Sequence, residues 1–153
     1  MIIQAETPAH IEDTRRLFRE YETWLDVDLC FQSFKEELKN LPGRYAAPTG
    51  RLLLAFAGEK IAGCIALRRI DDEICEMKRL YLRQEFRGAG LGKRSIERLI
   101  EEAREIGCQK MRLDTLPKKM PRAVALYKEF GFQPIAAYSD NPHWETLFME
   151  KEF

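Results

Sequence analysis

The chain has 153 residues, 45% hydrophobic and 33% charged, an ordinary balance for one globular domain that buries a single core. Its 25 basic residues match 25 acidic ones, which excludes bulk attraction to nucleic acid, a membrane surface or an acidic polymer. No apolar run approaches the roughly 18 residues of a membrane span, and the start MIIQAETPAH lacks the features of a secretion signal.

Cys30, Cys64, Cys75 and Cys108 are scattered, with no CxxC pair and no histidine cluster. They read as reduced thiols of a cytoplasmic protein without a metal site. Along the chain, Ile2–Glu6 reads as a strand closed by Thr7-Pro8, which also suits a helix start. Ile11, Leu17, Phe18, Tyr21, Trp24 and Leu25 then recur at helical spacing up to about Asp26. A second short helix covers Ser33–Leu41 and stops at Pro42-Gly43. Leu52–Ala57 and Ile61–Ile70 flank the turn Gly58-Glu59-Lys60 as an antiparallel hairpin, and Ile74–Leu82 is a third strand. An amphipathic helix runs from Gly90 to Ile106 on the stripe Ile96, Leu99, Ile100, Ala103 and Ile106, with Gly107 as its stop. Met111–Leu116 is a strand, a helix enters at Pro121 and ends at Gly131, and two strands follow around Gln133–Ala137 and Trp144–Glu150. This order predicts an α/β (α+β) fold with a mixed sheet, in one domain spanning residues 1–153.

The segment from Leu80 to Lys93 carries the chemistry. A strand ends, Gly88, Gly90 and Gly92 alternate with Ala89 and Leu91, and a long helix begins. Glycines allow tight turning and close approach of backbone, and the free N–H groups of a helix start attract negative charge. A pyrophosphate is the expected guest, with Arg87 and Lys93 as added counter-charge. The spacing GxGxG lacks the last glycine of a dinucleotide fingerprint. It also falls one residue short of a P-loop, where Arg94 stands in place of the magnesium-binding hydroxyl.

What remains is R-x-x-G-x-G, met by Arg87, Gly90 and Gly92, together with Ala123-Val124-Ala125-Leu126-Tyr127-Lys128-Glu129-Phe130-Gly131-Phe132. With the order of elements, these residues resemble the GCN5-related N-acetyltransferase (GNAT) superfamily over essentially the whole chain. The resemblance implies a single GNAT-like domain, a central sheet of about six to seven strands flanked by about four helices, and acetyl-coenzyme A as co-substrate. It implies that the backbone of Leu80, Tyr81 and Leu82 borders pantetheine and that N–H groups from Arg87 through Lys93 hold the pyrophosphate. It implies direct transfer to a primary amine of a small molecule or peptide, and a homodimer is common among members.

By the same resemblance Glu76 is the candidate base and Tyr127 the candidate acid. Strand alternation would place Glu76 on the face of Leu80 and Leu82, unless a bulge changes the parity. The alternatives are an ion pair of Glu76 with Lys78, Arg79 or another neighbour, and a packing role for Tyr127. Trp24 and Phe31 are candidate acceptor contacts, against a simple core role. Met120 stands where relatives often place an asparagine that contacts the cofactor. His10 and His143 fit no triad or metal spacing, and read as surface or structural residues. A rival reading is a non-catalytic module that binds an acyl-coenzyme A.

Overall fold

The computed structural model describes residues 1–29 and 33–153. Strand β1 spans Ile2–Gln4, and helix α1 runs over Pro8–Leu25. The Thr7 hydroxyl caps α1 by accepting from the His10 N–H at 3.1 Å, and Pro8 occupies the first turn, where its missing N–H is harmless. Helix α2 covers Phe34–Lys39, and strands β2 (Arg51–Ala57), β3 (Lys60–Arg69) and β4 (Ile74–Leu82) follow. Helix α3 is Leu91–Glu105, β5 is Lys110–Thr115 and α4 is Pro121–Glu129. Strands β6 (Gln133–Ile135) and β7 (Leu147–Glu152) end the chain. The last strand therefore starts three residues later than the aromatic run suggests: Trp144 is 87% exposed and lies outside β7.

The strands form one sheet in the order β1-β2-β3-β4-β5-β7-β6. Only β4 and β5 are parallel, joined through α3, and every other pairing is antiparallel. Alternation along β2 separates two cores. Leu53 joins Ile65, Leu67, Met77, Leu99 and Met111 beneath α3 and α4, while Leu52 and Leu54 join Leu17, Phe18, Phe34 and Tyr81 beneath α1 and α2. Each fully buried leucine contributes about 1.5–3 kcal/mol of transfer free energy, so a one-residue slip of β2 would disrupt both layers. Among the described residues no helix is long and apolar enough to cross a membrane.

Two features of β4 position the site. Parallel pairing with β5 covers only Ile74, Cys75 and Glu76, opposite Lys110, Met111 and Arg112, after which the strands part. On the other side, Cys64 opposes Tyr81 and Ala66 opposes Lys78, so β4 carries an extra residue as a bulge. Arg79 lies inside it with φ 63°, in the left-handed region that side chains disfavour.

Candidate active site

Gly88 and Gly90 adopt φ 88° and 83°, and Gly90 precedes α3 without any side-chain cap. A Cβ at either glycine would meet nothing within 4 Å. The first N–H groups of α3 have no partner within the helix and no side-chain cap, an arrangement that suits an anion. The Arg87 side chain turns away from the helix start. Its Nε donates to the Leu82 carbonyl at 2.9 Å, and its guanidinium lies 4.7 Å from the centre of the Trp24 ring.

Where β4 and β5 part, a cleft of about 610 Å³, counted to its open mouth, runs between Met77–Leu80 and Leu113–Leu116. Tyr21, Met120, Tyr127, Asn141, His143 and Thr146 also stand in its wall, with Leu25, Val27 and Leu29. Burial pushes the Tyr127 phenol far up, with Tyr21 and Asp114 adding to the shift, so the group stays protonated. Tyr21 is pushed up to about 12 by burial.

The face of the sheet beneath α1 and α2 carries alternating charge. Arg68, Glu76, Arg112 and Glu150 stand in register on β3, β4, β5 and β7. Arg68 donates to Glu76 at 2.8 Å and Arg112 to Glu150 at 2.7 Å. Tyr138 reaches in from the loop after β6 and donates its hydroxyl to Glu76 at 2.6 Å. Burial raises the Glu76 carboxyl, but the charges of Lys78 and Arg68 and the bonds from Tyr138 and Arg68 prevail and hold it below its ordinary value. Both Glu76 oxygens are thus engaged, and the side chain is only 3% exposed. The pairing alternative for Glu76 is realised with Arg68 on the neighbouring strand as well as with the charge of Lys78.

One row further, Lys78 faces Asp114 across the cleft at 3.8 Å. Burial pushes Lys78 below the ordinary ammonium range, against the pull of Asp114 and Glu76. Arg79 sends Nε and Nη2 to the two Glu37 oxygens at 2.9 and 3.0 Å, and its guanidinium stacks 5.0 Å from the Phe34 ring centre.

The bulge overturns the expected parity. Leu80 packs beneath α3 and Leu82 against Leu91, whereas Glu76 lies on the opposite face with Arg68 and Tyr138. Leu80 and Tyr127 both line the cleft, while Tyr81 packs against Tyr21 and bonds Glu20 of α1. Trp24 sits beside Arg87 and Tyr81 near the glycine loop and does not line the cleft. Phe31 lies outside the described residues. Met120 lines the cleft, where its sulfur accepts from the Thr115 hydroxyl at 3.9 Å. Sequence reasoning gave Lys78 only as an ion-pair partner of Glu76, did not single out Asp114 or Thr146, and set aside His143, which the Asn141 turn carries into the cleft wall. The only signal for them in the sequence is the two-residue step from Glu76 to Lys78 along one strand face.

The model of the acetyltransferase (GNAT) family matches residues 11–132. An uncharacterized N-acetyltransferase of Schizosaccharomyces pombe is 37% identical, with 99% of this chain and 93% of that protein covered. An acetyltransferase of Streptococcus agalactiae has a similar crystal structure, with TM-score 0.80, 25% identity and 100% and 98% of the two chains covered. The PaiA N-acetyltransferase of Thermoplasma acidophilum, solved in complex with coenzyme A, shares the fold with TM-score 0.74 at 19% identity, covering 100% and 99%.

Proposed function

The chain belongs to the acetyltransferase (GNAT) family, and on that premise we propose that it moves the acetyl group of acetyl-coenzyme A directly onto a primary amine bound in the same cleft. The observation that carries this reading is the open edge of β4 beyond Glu76, which leads straight into the uncapped start of α3. A pantetheine arm fits that edge as an added strand, on the backbone of Leu80 and Leu82. A pyrophosphate fits the N–H groups from Gly88 through Lys93, in the open space above Gly88 and Gly90, whereas the Arg87 N–H expected to join them is already donated to the Gln84 carbonyl at 3.2 Å. The complex of the Thermoplasma protein with coenzyme A supports the same guest here.

Acetyl-coenzyme A supplies the activated acetyl group as a thioester. The amine arrives as an ammonium ion and must lose one proton before its lone pair is available. We assign that proton to the Asp114 carboxylate, directly or through water, because Asp114 lines the cleft. Glu76, the carboxylate expected for this task, is committed to Arg68 and Tyr138 and does not line the cleft. The new N–C bond forms as the C–S bond breaks, and the sulfur keeps the bond's electron pair. Tyr127, kept protonated by burial, donates a hydrogen bond and then a proton to that sulfur. The nitrogen then gives up its second proton, which restores the Tyr127 phenol through solvent, and the first proton passes from Asp114 to solvent as the amide and the free thiol leave.

Calorimetric titration with acetyl-coenzyme A, with ATP and NAD as controls, tests the premise. The wild type is expected to bind acetyl-coenzyme A selectively. Replacing Gly90 and Gly92 by Asp puts negative charge where the pyrophosphate belongs, and is expected to weaken binding about 100-fold or more, roughly 2.7 kcal/mol. Absence of binding to the folded wild type would sink the proposal. Binding without thiol release on any amine would favour the non-catalytic module.

A further inference from the structure

The chain leaving α1 reads Leu25-Asp26-Val27-Asp28-Leu29, apolar and acidic residues in strict alternation. The apolar residues all line the cleft, and neither acid does. Asp26 is exposed, and Asp28 lines a separate groove with Arg15 and Arg19 of α1. Tyr21, Leu116 and Met120 continue the apolar wall, each packed against the core beneath α1 and α2 while keeping some surface accessible. Among the described residues Asp114 is the only carboxylate of the cleft wall, and residues 30–32 are Cys, Phe and Gln. Other carboxylates around the cleft are closed by partners. Glu37 takes Arg79 and Tyr45, Glu76 takes Arg68 and Tyr138, and Glu145 takes Lys118 at 2.9 Å. The cleft thus offers one carboxylate and, on the side of α1, a continuous apolar surface.

We infer that the acceptor is an apolar monoamine, with one primary ammonium ion that meets Asp114 and an uncharged hydrocarbon body that lies on the wall of Val27, Leu29 and Met120. This inference rests on the acetyl-transfer reading above. A small-molecule site of this make-up orients its guest through a few polar groups and draws affinity from apolar area. Each methylene withdrawn from water onto the wall adds to that affinity. A second ammonium ion at the far end of the body would leave water with no carboxylate to receive it, which is the costly case. The cations of the wall, Lys78 and Arg79, offer such a group nothing. A carboxylate at the far end meets the same apolar surface and is desolvated there as well. The wall therefore selects against polyamines and other polycations by the partners it withholds. The alternation after α1 gives that selection a local cause, because Asp26 and Asp28 are the acids the chain could have turned inward.

Amines of one length isolate the far end of the body. Hexylamine, 1,6-diaminohexane and 6-aminohexanoate carry a methyl group, an ammonium ion and a carboxylate there, and 2-phenylethylamine supplies a second apolar body. Calorimetry first reads acetyl-coenzyme A binding, and thiol release then reads turnover. Hexylamine or 2-phenylethylamine is expected to be acetylated with kcat/KM about 10-fold or more above the diamine and the amino acid. Val27→Asp, checked for folding by circular dichroism, should shift the ratio of hexylamine to diamine about 10-fold or more toward the diamine. Val27→Asn, similar in size but uncharged, should lower hexylamine use without that shift. Diamine or 6-aminohexanoate used as well as hexylamine, an unchanged preference in folded Val27→Asp, or no thiol release with either monoamine from a protein that binds acetyl-coenzyme A would each overturn this inference without touching cofactor binding. Absence of acetyl-coenzyme A binding to the folded wild type would refute the transfer reading, and this inference with it.

Discussion

Two stretches of backbone flank the cleft in the same left-handed conformation, and they reach it by opposite means. In the loop before α3, Gly88 and Gly90 adopt φ 88° and 83° with no Cβ to resist. In the β4 bulge, Arg79 adopts φ 63° while carrying a full side chain. Glycine makes the first stretch free of that penalty. The second persists because its surroundings over-determine it: Glu37 grips the guanidinium at 2.9 and 3.0 Å, and Phe34 lies under it. The loop before α3 is thus shaped by permissive backbone, and the β4 bulge by an ion pair that enforces a conformation. Glu37 also accepts from the Tyr45 hydroxyl at 2.9 Å, so α2 and the turn after it serve as the clamp.

Arg79→Ala breaks this contrast most severely. It keeps the disfavoured φ, removes the ring contact and leaves the largely buried Glu37 without its guanidinium. Removal of one partner from a buried pair typically costs about 3–5 kcal/mol, and urea denaturation should report a loss of that size. Arg79→Gly loses the same pair but relieves the backbone, so it should be less destabilised than Arg79→Ala by about 1 kcal/mol. Equal stabilities for the two variants would mean that φ at this position carries no cost.

A smaller effect is expected at the neighbouring row. Tyr138→Phe deletes the 2.6 Å bond to Glu76 and should cost about 1.5 kcal/mol at neutral pH. The carboxyl of Glu76 is held below its ordinary value of 4.5, so its contribution is present above 4.5 and is lost as pH falls through the lower folded value. Arg68, Lys78 and Tyr138 are the groups that set this shift against burial. Without the phenol the Glu76 carboxyl moves back up, and acid unfolding of the variant should begin at higher pH. A gap between variant and wild type that stays constant from neutral pH to well below 4.5 would show that the hydroxyl contributes packing rather than charge stabilisation.

The same contrast separates what is legible in the sequence from what is not. The glycine loop, α3 and the aromatic signature of α4 are local signals: spacing alone states that a helix starts behind a permissive turn. The mixed sheet follows from the order of elements, the family likeness adds its size, and every predicted strand is present. The acceptor end is a different matter. Glu76 meets Arg68 and Tyr138 through strand register and a long loop, and neither partner is a neighbour in sequence. Asp114 and Thr146 reach the cleft from β5 and from just before β7, far from Lys78 along the chain. The bulge at Arg79 carries no glycine to announce it, and its single extra residue reverses the face on which Leu80 and Leu82 lie relative to Glu76. Period-2 reasoning fails at such a point, because parity is a property of the pairing and not of the strand.

The mildest substitution gives the sharpest comparison. A Cβ at Gly88 would meet nothing within 4 Å, so Gly88→Ala changes backbone preference and almost nothing else. Its φ of 88° should then cost about 1 kcal/mol of stability, with the anion loop still able to bind acetyl-coenzyme A. This is the same quantity that separates Arg79→Gly from Arg79→Ala, measured with the opposite sign at the other end of the cleft. Similar magnitudes would mean that both stretches face one conformational penalty and differ only in what offsets it. A much smaller loss at Gly88 would mean that the loop relaxes out of the left-handed region, and acetyl-coenzyme A affinity should then fall, since the N–H groups would no longer converge. Loss of affinity without loss of stability at Gly88 would therefore place the value of this conformation in binding, and the value of the Arg79 conformation in the fold.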